Sequence, residues 1–434
     1  MPINDGNAGE WAEPYVLLEL LYEGKIYKSD ENLNVIKDVW HDISSIIFKE
    51  NRDDVNGSLQ YLINPDNKAV SVVKKGKPLV TVKREEIGKY AKGLRKAIQD
   101  SSKATSKKKG GVIDVPSEYI DYVRSLGRES LTASSKSTPD IWLNIPDVRN
   151  NTDKPLGFSI KSIMASPPTI FNSSGASNIM FEVTGVKDQS QIDEINKLVG
   201  YHEDKKTGEG YYYADYSARI KKFKEYGFGL KYASPCKIAN IKGIPILKDD
   251  HVFEDNLKMV DSRMPEMLGY MVAEAYFNKL TRIPDLVDLM NKNDPLEEHP
   301  SENYPFYTKK VKDLLVAMTL SMTAATAWDG SEGTNGGLII VKENGDVVCY
   351  HIFDRNDFRD FLFRNMRFEH PSNARQLSMS IIEDGSKYYT LLNVQIRFDQ
   401  YKSGRSRGKI KGYYDLHTGS FVEKGGDSLD DYFE

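Results

Sequence analysis

Hydrophobic positions change their spacing several times along the first hundred residues. Helical spacing predicts a first helix around residues 15–21 and a second helix over 31–49. Apolar and polar positions then alternate over 58–64, 69–75 and 78–83, as they do in β-strands that are joined by short turns. The N-terminal region is therefore predicted to combine helices with a small set of consecutive strands.

A charged helix over 84–99 closes this region, and the stretch SSKATSKKKGG (101–111), which has no apolar anchor, predicts a loop or linker. The pattern predicts the later elements in this order: a helix at 116–126; strands at 140–145, 156–162 and 179–185; helices near 265–279, 283–291 and 308–327; and strands at 337–342, 346–353 and 389–398. This alternation of elements predicts an α/β fold with a mixed sheet.

The predicted elements fall into four regions along the chain. These are an N-terminal α+β region over 1–111, which ends in the basic linker; a core over 112–250, which includes a basic stretch; a C-terminal helical and β region over 251–401; and a charged tail over 402–434.

Composition narrows the class of protein. The chain has 434 residues, 28% of them charged, and a formal net charge of -4, so a surface for a polyanion must be a local patch. Two cysteines, Cys236 and Cys349, are typical of a reducing compartment. The first residues are polar, and the longest apolar run, 314–328, is interrupted by Ser and Thr. We therefore expect a cytoplasmic protein that makes no membrane contact.

One pair of residues indicates chemistry. Asp140 stands at the start of a predicted strand, and Lys161 follows on the next strand, where it shares a face with Ser159. An acid and a lysine on neighbouring strands are the smallest set of catalytic residues in many metal-dependent nucleases. The alternative interpretation is a turn residue at Asp140 and a solvated lysine on an edge strand.

A metal site of this kind usually needs a second carboxylate. The position two residues before Lys161 is Ser159, which cannot carry the charge, so the acid must come from elsewhere. Glu182, on the next predicted strand, is one candidate, and Glu10 and Glu13, three residues apart on the first helix, are two others. Glu10 has a second interpretation, because Asn7 and Glu10 resemble a helix capping box.

Other catalytic patterns are missing from the sequence. The seven histidines show no metal-binding spacing with one another or with the cysteines. The sequence also contains no glycine-rich phosphate loop of the P-loop or dinucleotide type, and no GxSxG turn.

Four blocks of sequence resemble the HpaII family of type II restriction endonucleases. They are GEWAEPYVLLELLYEGKIYKSDENLN (9–34), LGFSIKS (156–162) with SPPTIFNSSGASNIMFEV (166–183), GGLIIVKENGDVVCYHIFDRNDFRDFLF (336–363) and LLNVQIRF (391–398). The blocks follow the order of the family and span nearly the whole chain up to Phe398. Two departures are Pro14, where an apolar residue is expected, and the tail beyond Asp399, for which the family offers no counterpart.

The resemblance implies a nuclease core of the PD-(D/E)xK type, flanked by helices, with an α+β elaboration before it and an α/β elaboration after it. It implies that Asp140 and Lys161 are catalytic, in the variant that has Ser159 before the lysine. It further implies Mg²⁺ as the cofactor, held by Asp140 and by Glu182, Glu10 or Glu13. The namesake of the family cuts CCGG, so a CCGG-like target is one expectation, with 5′-phosphate and 3′-hydroxyl ends.

DNA recognition needs a second surface. The loop after the lysine strand offers side chains that can reach phosphates or base edges, and the C-terminal region offers the residue types that pair with guanine and adenine. These candidates are Ser166, Asn172, Ser173, Ser174, Asn178, Arg355, Asn356, Gln395 and Arg397. The basic stretch 219–248 would add sequence-independent affinity for phosphates. The alternatives are a plain surface loop, a helix cap at Asn356 and a solvated helix face.

Double-stranded DNA is the expected partner. A homodimer would match a palindromic target, and a DNA methyltransferase would belong to the same restriction-modification system. Two other functions remain open at this point. One is a repair or structure-specific nuclease, and the other is a DNA-binding protein whose catalytic site has decayed at Ser159.

Overall fold

The computed structural model shows a mixed α/β architecture. It describes residues 6–30, 33–49, 59–66, 68–105, 112–132, 139–146, 155–164, 167–203, 210–233, 237–238, 248–249, 251–351, 355–370, 379–399, 412–415 and 420–423. The helices of these segments are α1 (Ala8–Glu23), α2 (Arg84–Thr105), α3 (Ser117–Ser125), α4 (Gln189–Asn196), α5 (Tyr216–Glu225), α6 (Val252–Val260), α7 (Met264–Phe277), α8 (Ile283–Asn293), α9 (Phe306–Leu320) and α10 (Arg355–Asn365).

The strands follow the same chain order. They are β1 (Lys25–Ser29), β2 (Val35–Asp42), β3 (Ser45–Phe48), β4 (Leu59–Asn64), β5 (Ala69–Lys74), β6 (Lys77–Lys83), β7 (Ile141–Asn144), β8 (Leu156–Ser162), β9 (Thr169–Phe171), β10 (Asn178–Thr184), β11 (Val199–Glu203), β12 (Gly210–Ala214), β13 (Gly229–Ala233), β14 (Lys237–Ile238), β15 (Lys248–Asp249), β16 (Gly337–Val341), β17 (Val347–His351), β18 (Met366–Phe368), β19 (Ile381–Asp384), β20 (Lys387–Asn393), β21 (Ile396–Phe398), β22 (Gly412–Asp415) and β23 (Ser420–Glu423).

The chain divides into two compact units, each built from two separate segments. Unit 1 consists of Met1–Pro168 and Glu332–Phe361, and unit 2 consists of Thr169–Ser331 and Leu362–Glu434. The sequence analysis predicted four regions along the chain, and that division stays a prediction.

A ten-stranded sheet forms the centre of unit 1, in the order β2-β1-β17-β16-β8-β7-β3-β4-β5-β6. Most neighbouring strands are antiparallel, whereas β16 runs parallel to β8 and β1 runs parallel to β17. Parallel neighbours need long crossover connections, and the chain supplies one here because β16 and β17 return from beyond residue 332 to join strands of the first 168 residues. The predicted α/β fold with a mixed sheet is therefore confirmed.

One face of this sheet carries the hydrophobic core of unit 1. Helices α1, α2 and α3 pack against it, and Trp11, Tyr15 and Leu94 are fully buried there. Phe158 and Ile160 of β8 point into the same core. Burying apolar surface contributes about 25 cal/mol of stability per Å², and this is the main stabilising contribution of such a core. The core therefore fixes which face of β8 is turned away from solvent.

Helix α1 begins with a complete capping box. The Asn7 side chain accepts hydrogen bonds from the amides of Gly9 and Glu10, and the Glu10 carboxylate accepts one from the Asn7 amide (2.7 Å). The helix starts at Ala8 and continues past the buried Pro14, so the interpretation of Asn7 and Glu10 as a capping box is confirmed. A cap of this kind contributes about 1 kcal/mol of stability.

Unit 2 contains a four-stranded sheet, in the order β13-β10-β20-β19, and the three-stranded sheet β18-β21-β9. Two hairpins, β11-β12 and β22-β23, and the short pair β14-β15 complete its strands in the described segments. Helices α6 to α9 belong to the same unit, and α7 is buried along nearly its whole length.

The predicted helix over 31–49 is wrong, because the structure has β2 and β3 there. Ile36, Val39, Ile43, Ile46 and Ile47 lie at spacings that also fit strands, and β-branched residues favour the pleated conformation. Pairing with β1, β4 and β7 decides between the two conformations. Local spacing alone could not make that choice.

The predicted linker over 101–111 is wrong in its first half, because α2 continues to Thr105; residues 106–111 lie outside the described segments. Elsewhere the predicted strands at 58–64, 69–75, 78–83 and 156–162 match β4, β5, β6 and β8 closely. Within the described residues, none of the helices is both long and apolar enough to cross a membrane.

A histidine in unit 2 makes the stability of the fold sensitive to acid. His370 stacks on Tyr216 (ring centroids 5.1 Å apart) and meets Tyr276 edge-on at 4.4 Å. Its Nε2 atom is buried and has no hydrogen-bond partner among the described residues. Burial in these surroundings lowers the pKa of His370 to about 4.

We expect the His370→Phe variant to lose part of the acid sensitivity of folding. An unfolded histidine has a pKa of about 6.5 and takes up a proton as the pH falls below that value, whereas folded His370 stays neutral down to about pH 4. The parent protein should therefore lose on the order of 2 kcal/mol between pH 7 and pH 5 through this group. Thermal unfolding of both proteins at the two pH values measures the difference, and an equal pH dependence would contradict it.

Candidate active site

Strands β7 and β8 bring the predicted catalytic residues together. The two strands pair antiparallel, with Ile141 opposite Phe158. Asp140 directly precedes β7, and its amide donates to the carbonyl of Phe158 (2.9 Å). Asp140 therefore lies beside the middle of β8, at the strand that carries Ser159 and Lys161.

The Asp140 carboxylate is held by β8. Its Oδ2 atom accepts one hydrogen bond from the amide of Ile160 (2.6 Å) and one from the hydroxyl of Ser159 (3.1 Å). Ser159 is buried, and only a small part of Asp140 reaches the surface. The serine that stands where an acid was expected is thus a partner of the catalytic candidate.

Burial raises the pKa of the Asp140 carboxyl above its usual range. The positive charge of Lys161 and the hydrogen bonds from Ile160 and Ser159 act in the opposite direction. A carboxyl with few waters around it and a cation close by responds strongly to any further positive charge. A divalent metal at this position would favour the ionised form of the carboxyl.

The two faces of β8 have different surroundings, as the alternation of its sequence predicted. Phe158 and Ile160 point into the core beneath α1, whereas Ser159 and Lys161 lie on the opposite face. Lys161 is partly exposed there. A lysine on this face can reach a substrate that lies over the sheet.

Close packing of Pro139 on the backbone of β8 fixes the position of Asp140, and only Gly157 indicates this packing in the sequence. A Cβ atom on Gly157 would lie 2.7 Å from Cγ of Pro139, so Pro139 rests directly on the glycine. The Gly157 amide donates to Oδ1 of Asn335 (2.8 Å), and its carbonyl accepts from the amide of Gly336 (2.7 Å). Glycine inside a strand often marks such a close approach, but Asn335 could not be found that way.

The acids of α1 have other partners. Glu10 belongs to the capping box, and Oε2 of Glu13 lies 4.0 Å from the guanidinium of Arg128. Arg128 is fully buried and stacks on the ring of Phe48 at 3.8 Å. Because α1 packs on the core face of β8, neither acid shares the face that carries Ser159 and Lys161.

Glu182 lies on β10 in unit 2. Its carboxylate pairs with Lys387 of β20 at 2.9 Å. In the part of the chain that the structure describes, three or more His, Cys, Asp or Glu side chains nowhere form a group that could hold a metal ion. Within unit 1, Asp140 is the predicted metal ligand that lies beside Lys161.

Comparison with known proteins decides the class of enzyme. The family model for the HpaII restriction endonuclease matches residues 7–398. The chain is 32% identical to the type II restriction enzyme HpaII of Haemophilus parainfluenzae over 394 residues. The aligned region makes up 91% of this chain and 98% of that protein. No solved structure matches the chain.

The chain belongs to the HpaII restriction endonuclease family. It is therefore a type II restriction endonuclease, a site-specific deoxyribonuclease whose partner is DNA and which needs a divalent metal. This assignment replaces the two alternatives of a repair nuclease and a DNA-binding protein without activity.

The loop before β10, which was predicted to contact DNA, uses several of its polar groups internally. The Asn178 side chain donates to the carbonyl of Gly175 and accepts from the Asn393 amide group, which also donates to the carbonyl of Ser174. Asn172 is exposed, whereas Ser173 is partly buried. Ser166 lies outside the described residues. Asn172 is the member of this set whose exposure best suits contact with DNA in this HpaII-family enzyme.

The C-terminal candidates divide in a similar way. Arg355 forms an ion pair with Glu332 (2.5 Å), and Arg397 forms one with Glu369. Asn356 is exposed at the start of α10, and Gln395 is partly buried beside β21. Arg355 and Asn356 are the exposed members of the four, and Arg355 already uses part of its guanidinium to bind Glu332.

The basic stretch 219–248 contains residues with structural roles. Arg219 is buried, and its guanidinium donates to the carbonyls of Asn196 and Leu198 and to the hydroxyl of Ser380. Burial lowers the pKa of Arg219 to about 10. Lys222 pairs with Glu194 at 2.7 Å. In the described part of the stretch, these two side chains are therefore engaged within the protein, and Arg219 does not lie on the solvated helix face that was the alternative interpretation.

We expect Gly157→Ala to reduce cleavage, because the new methyl group would displace Pro139 and with it Asp140. Inserting an atom into such a tight contact costs about 1–3 kcal/mol, and a small shift of a catalytic group costs about 10²-fold in rate. Cleavage of DNA and the melting temperature should be measured together.

Gly175→Ala is the matched control, since nothing lies within 4 Å of the position that its Cβ would occupy. Because Gly175 lies in the loop proposed to contact DNA, the control is compared at saturating DNA, where it should keep the parent melting temperature and the parent cleavage rate. Parent activity in Gly157→Ala would show that the packing of Pro139 on the glycine does not position Asp140.

Proposed function

We propose that this enzyme cuts both strands of DNA at a short specific sequence with Asp140, Ser159 and Lys161 at its catalytic centre. The observation that carries the proposal is the pair of hydrogen bonds from Ser159 and Ile160 to the Asp140 carboxylate. These bonds tie the acid to the same strand as Lys161, whose charge acts on it. The order of acid, serine and lysine is the one that the family resemblance implied.

Mg²⁺ is the metal that we propose for this site. In proteins Mg²⁺ is commonly held by one or two carboxylates, and phosphate oxygens and waters complete its shell. Both hydrogen bonds that Asp140 accepts fall on Oδ2, so Oδ1 is the oxygen that would face the metal. This donor set fits Mg²⁺ together with a DNA phosphate. When bound, the metal supplies Lewis acidity and lowers the pKa of a water.

Lys161 acts on the reacting phosphate in this proposal. Its ammonium group positions the attacking water and, through its positive charge, favours loss of the water's proton to solvent. It also stabilises the negative charge that builds up in the transition state. Ser159 touches neither water nor phosphate and instead orients the carboxylate of Asp140. In-line attack by the water then leaves a 5′-phosphate and a 3′-hydroxyl.

A CCGG-like sequence is the target that we propose to test first. A palindrome of this kind is matched by a homodimer with two-fold symmetry, and a DNA methyltransferase of the same system would protect the sequence in the host. Asn172, Ser173, Ser174, Asn178, Arg355, Asn356, Gln395 and Arg397 remain the proposed recognition residues. A cytoplasmic location is part of the same proposal.

We expect Lys161→Ala to abolish cleavage while specific DNA binding is retained. Loss of one group that stabilises transition-state charge costs about 10²–10³-fold in rate, whereas one lysine makes a small contribution to the affinity of a whole interface. Cleavage in Mg²⁺ and binding without metal should be measured on the same DNA, with the ends mapped by sequencing.

Lys342→Ala is a suitable control, because this lysine directly follows β16, the strand next to β8, and pairs with Asp346 at 3.9 Å. It should cleave at the parent rate. If Lys161→Ala cut DNA nearly as fast as the parent enzyme, Lys161 would not be the catalytic lysine.

The three candidate glutamates can be separated by their effect on the Mg²⁺ requirement. We expect Glu10→Gln, Glu13→Gln and Glu182→Gln to leave the Mg²⁺ concentration for half-maximal cleavage unchanged, because each acid has another partner. Glu13→Gln should in addition lower stability by about 3 kcal/mol, since it leaves the buried charge of Arg128 without its carboxylate.

Asp140→Asn is the comparison for this series, and it should be inactive at every Mg²⁺ concentration. A glutamate variant that required much more Mg²⁺ than the parent enzyme would instead identify that glutamate as a second ligand.

A further inference from the structure

Within the described residues, the second face of the large sheet is buried on the β16 side of β8. On the other side it is partly exposed, although Ser45 there is buried. Towards β16, Leu338 and Ile340 share the face of Ser159 and Lys161 and are fully buried. In the same half of the sheet, Tyr350 of β17 stacks on Phe361 of α10, with ring centroids 3.9 Å apart. The catalytic candidates thus lie at the end of the covered half.

The open half consists of β7, β3, β4, β5 and β6. On the face opposite the core, these strands align two rows of side chains by register. One row is Asn144, Ser45, Leu62, Ser71 and Thr81; the other is Trp142, Ile47, Gln60 and Val73. We call these two rows, with Lys49 and Lys83, the open face. Leu62 is 43% exposed, and Thr81 and Lys83 are exposed as well.

The charged side chains of the open face are both positive. None of the five strands contains Asp or Glu, although the chain has 63 such residues. Lys49 lies over the ring of Trp142 at 4.5 Å, and Lys83 pairs in register with Ala69 on the same face. A surface with cations and no carboxylates suits a polyanion, even though the whole chain is slightly acidic.

The nine side chains of the two rows are uncharged; five of them are polar and four are apolar. The amide nitrogen of Asn144 donates to the hydroxyl of Ser45 (2.9 Å), while the Oδ1 atom of Asn144 has no hydrogen-bond partner among the described residues. The hydroxyls of Ser71 and Thr81 lie 3.3 Å apart. Hydroxyl and amide groups are common donors to DNA phosphates and sugars, and they do not depend on base sequence.

We propose that the open face holds the DNA that flanks the cut site, through contacts to its sugar-phosphate backbone. Trp142 and Asp140 belong to the same chain segment and face the same side, so the open face begins where the proposed active site ends. Five strands at a spacing of about 4.8 Å span about 19 Å, which equals the rise of five or six base pairs at about 3.4 Å each. The proposal rests on the active site proposed above, because it places DNA next to Asp140.

A second copy of the chain is the other partner that could bind to this face of the sheet. Stable interfaces between copies have an apolar centre from which charged residues are depleted. In the open face, five of the nine side chains of the two rows carry hydroxyl or amide groups, four of them in one row, and both charged side chains of the face are lysines. These properties favour DNA.

The test is the salt dependence of DNA binding without metal, so that no cleavage is needed. Each lysine–phosphate contact adds about 0.9 to the slope of log K against log salt concentration. We expect the Lys49→Gln/Lys83→Gln double variant to lower that slope by about 2, equally on target and non-target duplexes several turns long. Thr81→Glu, which adds a carboxylate to an exposed position, should weaken binding to both duplexes.

The matched control is Lys89→Gln/Lys96→Gln, which removes the same charge from exposed positions of α2 on the opposite side of the sheet. Its slope should equal that of the parent enzyme. Equal slopes for the open-face variant and the parent enzyme would overturn the proposal. So would an altered oligomeric state with an unchanged slope, in sedimentation experiments, because that result assigns the face to a second copy of the chain.

The two proposals can fail separately. A lowered slope together with undiminished cleavage by Lys161→Ala would keep the open face and remove the proposed active site. An unchanged slope together with loss of cleavage in Lys161→Ala would keep the active site and remove the open face as a DNA contact.

Discussion

The candidate site depends on the pairing of β7 with β8. The hydrogen bond from the Asp140 amide to the carbonyl of Phe158 and the packing of Pro139 on Gly157 place the acid beside the strand that carries Lys161. Burial of Phe158 and Ile160 in the core then turns Ser159 and Lys161 to the other face. Packing of the apolar side chains in the core therefore orients Ser159 and Lys161, and this packing involves no polar contact.

The same arrangement explains why a serine can stand where related nucleases place an acid. Ser159 is buried and donates to Asp140, so a second carboxylate at this position would meet the first at short range and without solvent. Like charges so close together raise one another's pKa, and both can ionise only when a cation is present. With serine, one carboxylate and Lys161 form a site whose charges are closer to balance before metal binds.

Much of the candidate site could be predicted from the sequence, since strand alternation and the order of Asp140, Ser159 and Lys161 are local properties. The partners of the other acids could not. Glu13 faces Arg128 across more than a hundred residues of chain, and Glu182 pairs with Lys387 from a distant strand. The error over residues 31–49 has the same origin, because its apolar spacing fits either conformation until neighbouring strands supply hydrogen-bond partners.

The sequence by itself determined the α/β class, most of the regular elements, the family and the identity of Asp140 and Lys161 as the catalytic candidates. These follow from short-range periodicity and from residue types at fixed spacing. Only the tertiary structure decided which acids are already paired, that Asn335 and Gly336 support β8, and that Leu62 and Thr81 are exposed on the face of the sheet that also carries Lys161. Such facts depend on contacts between residues far apart in the chain, and chain connectivity does not specify them.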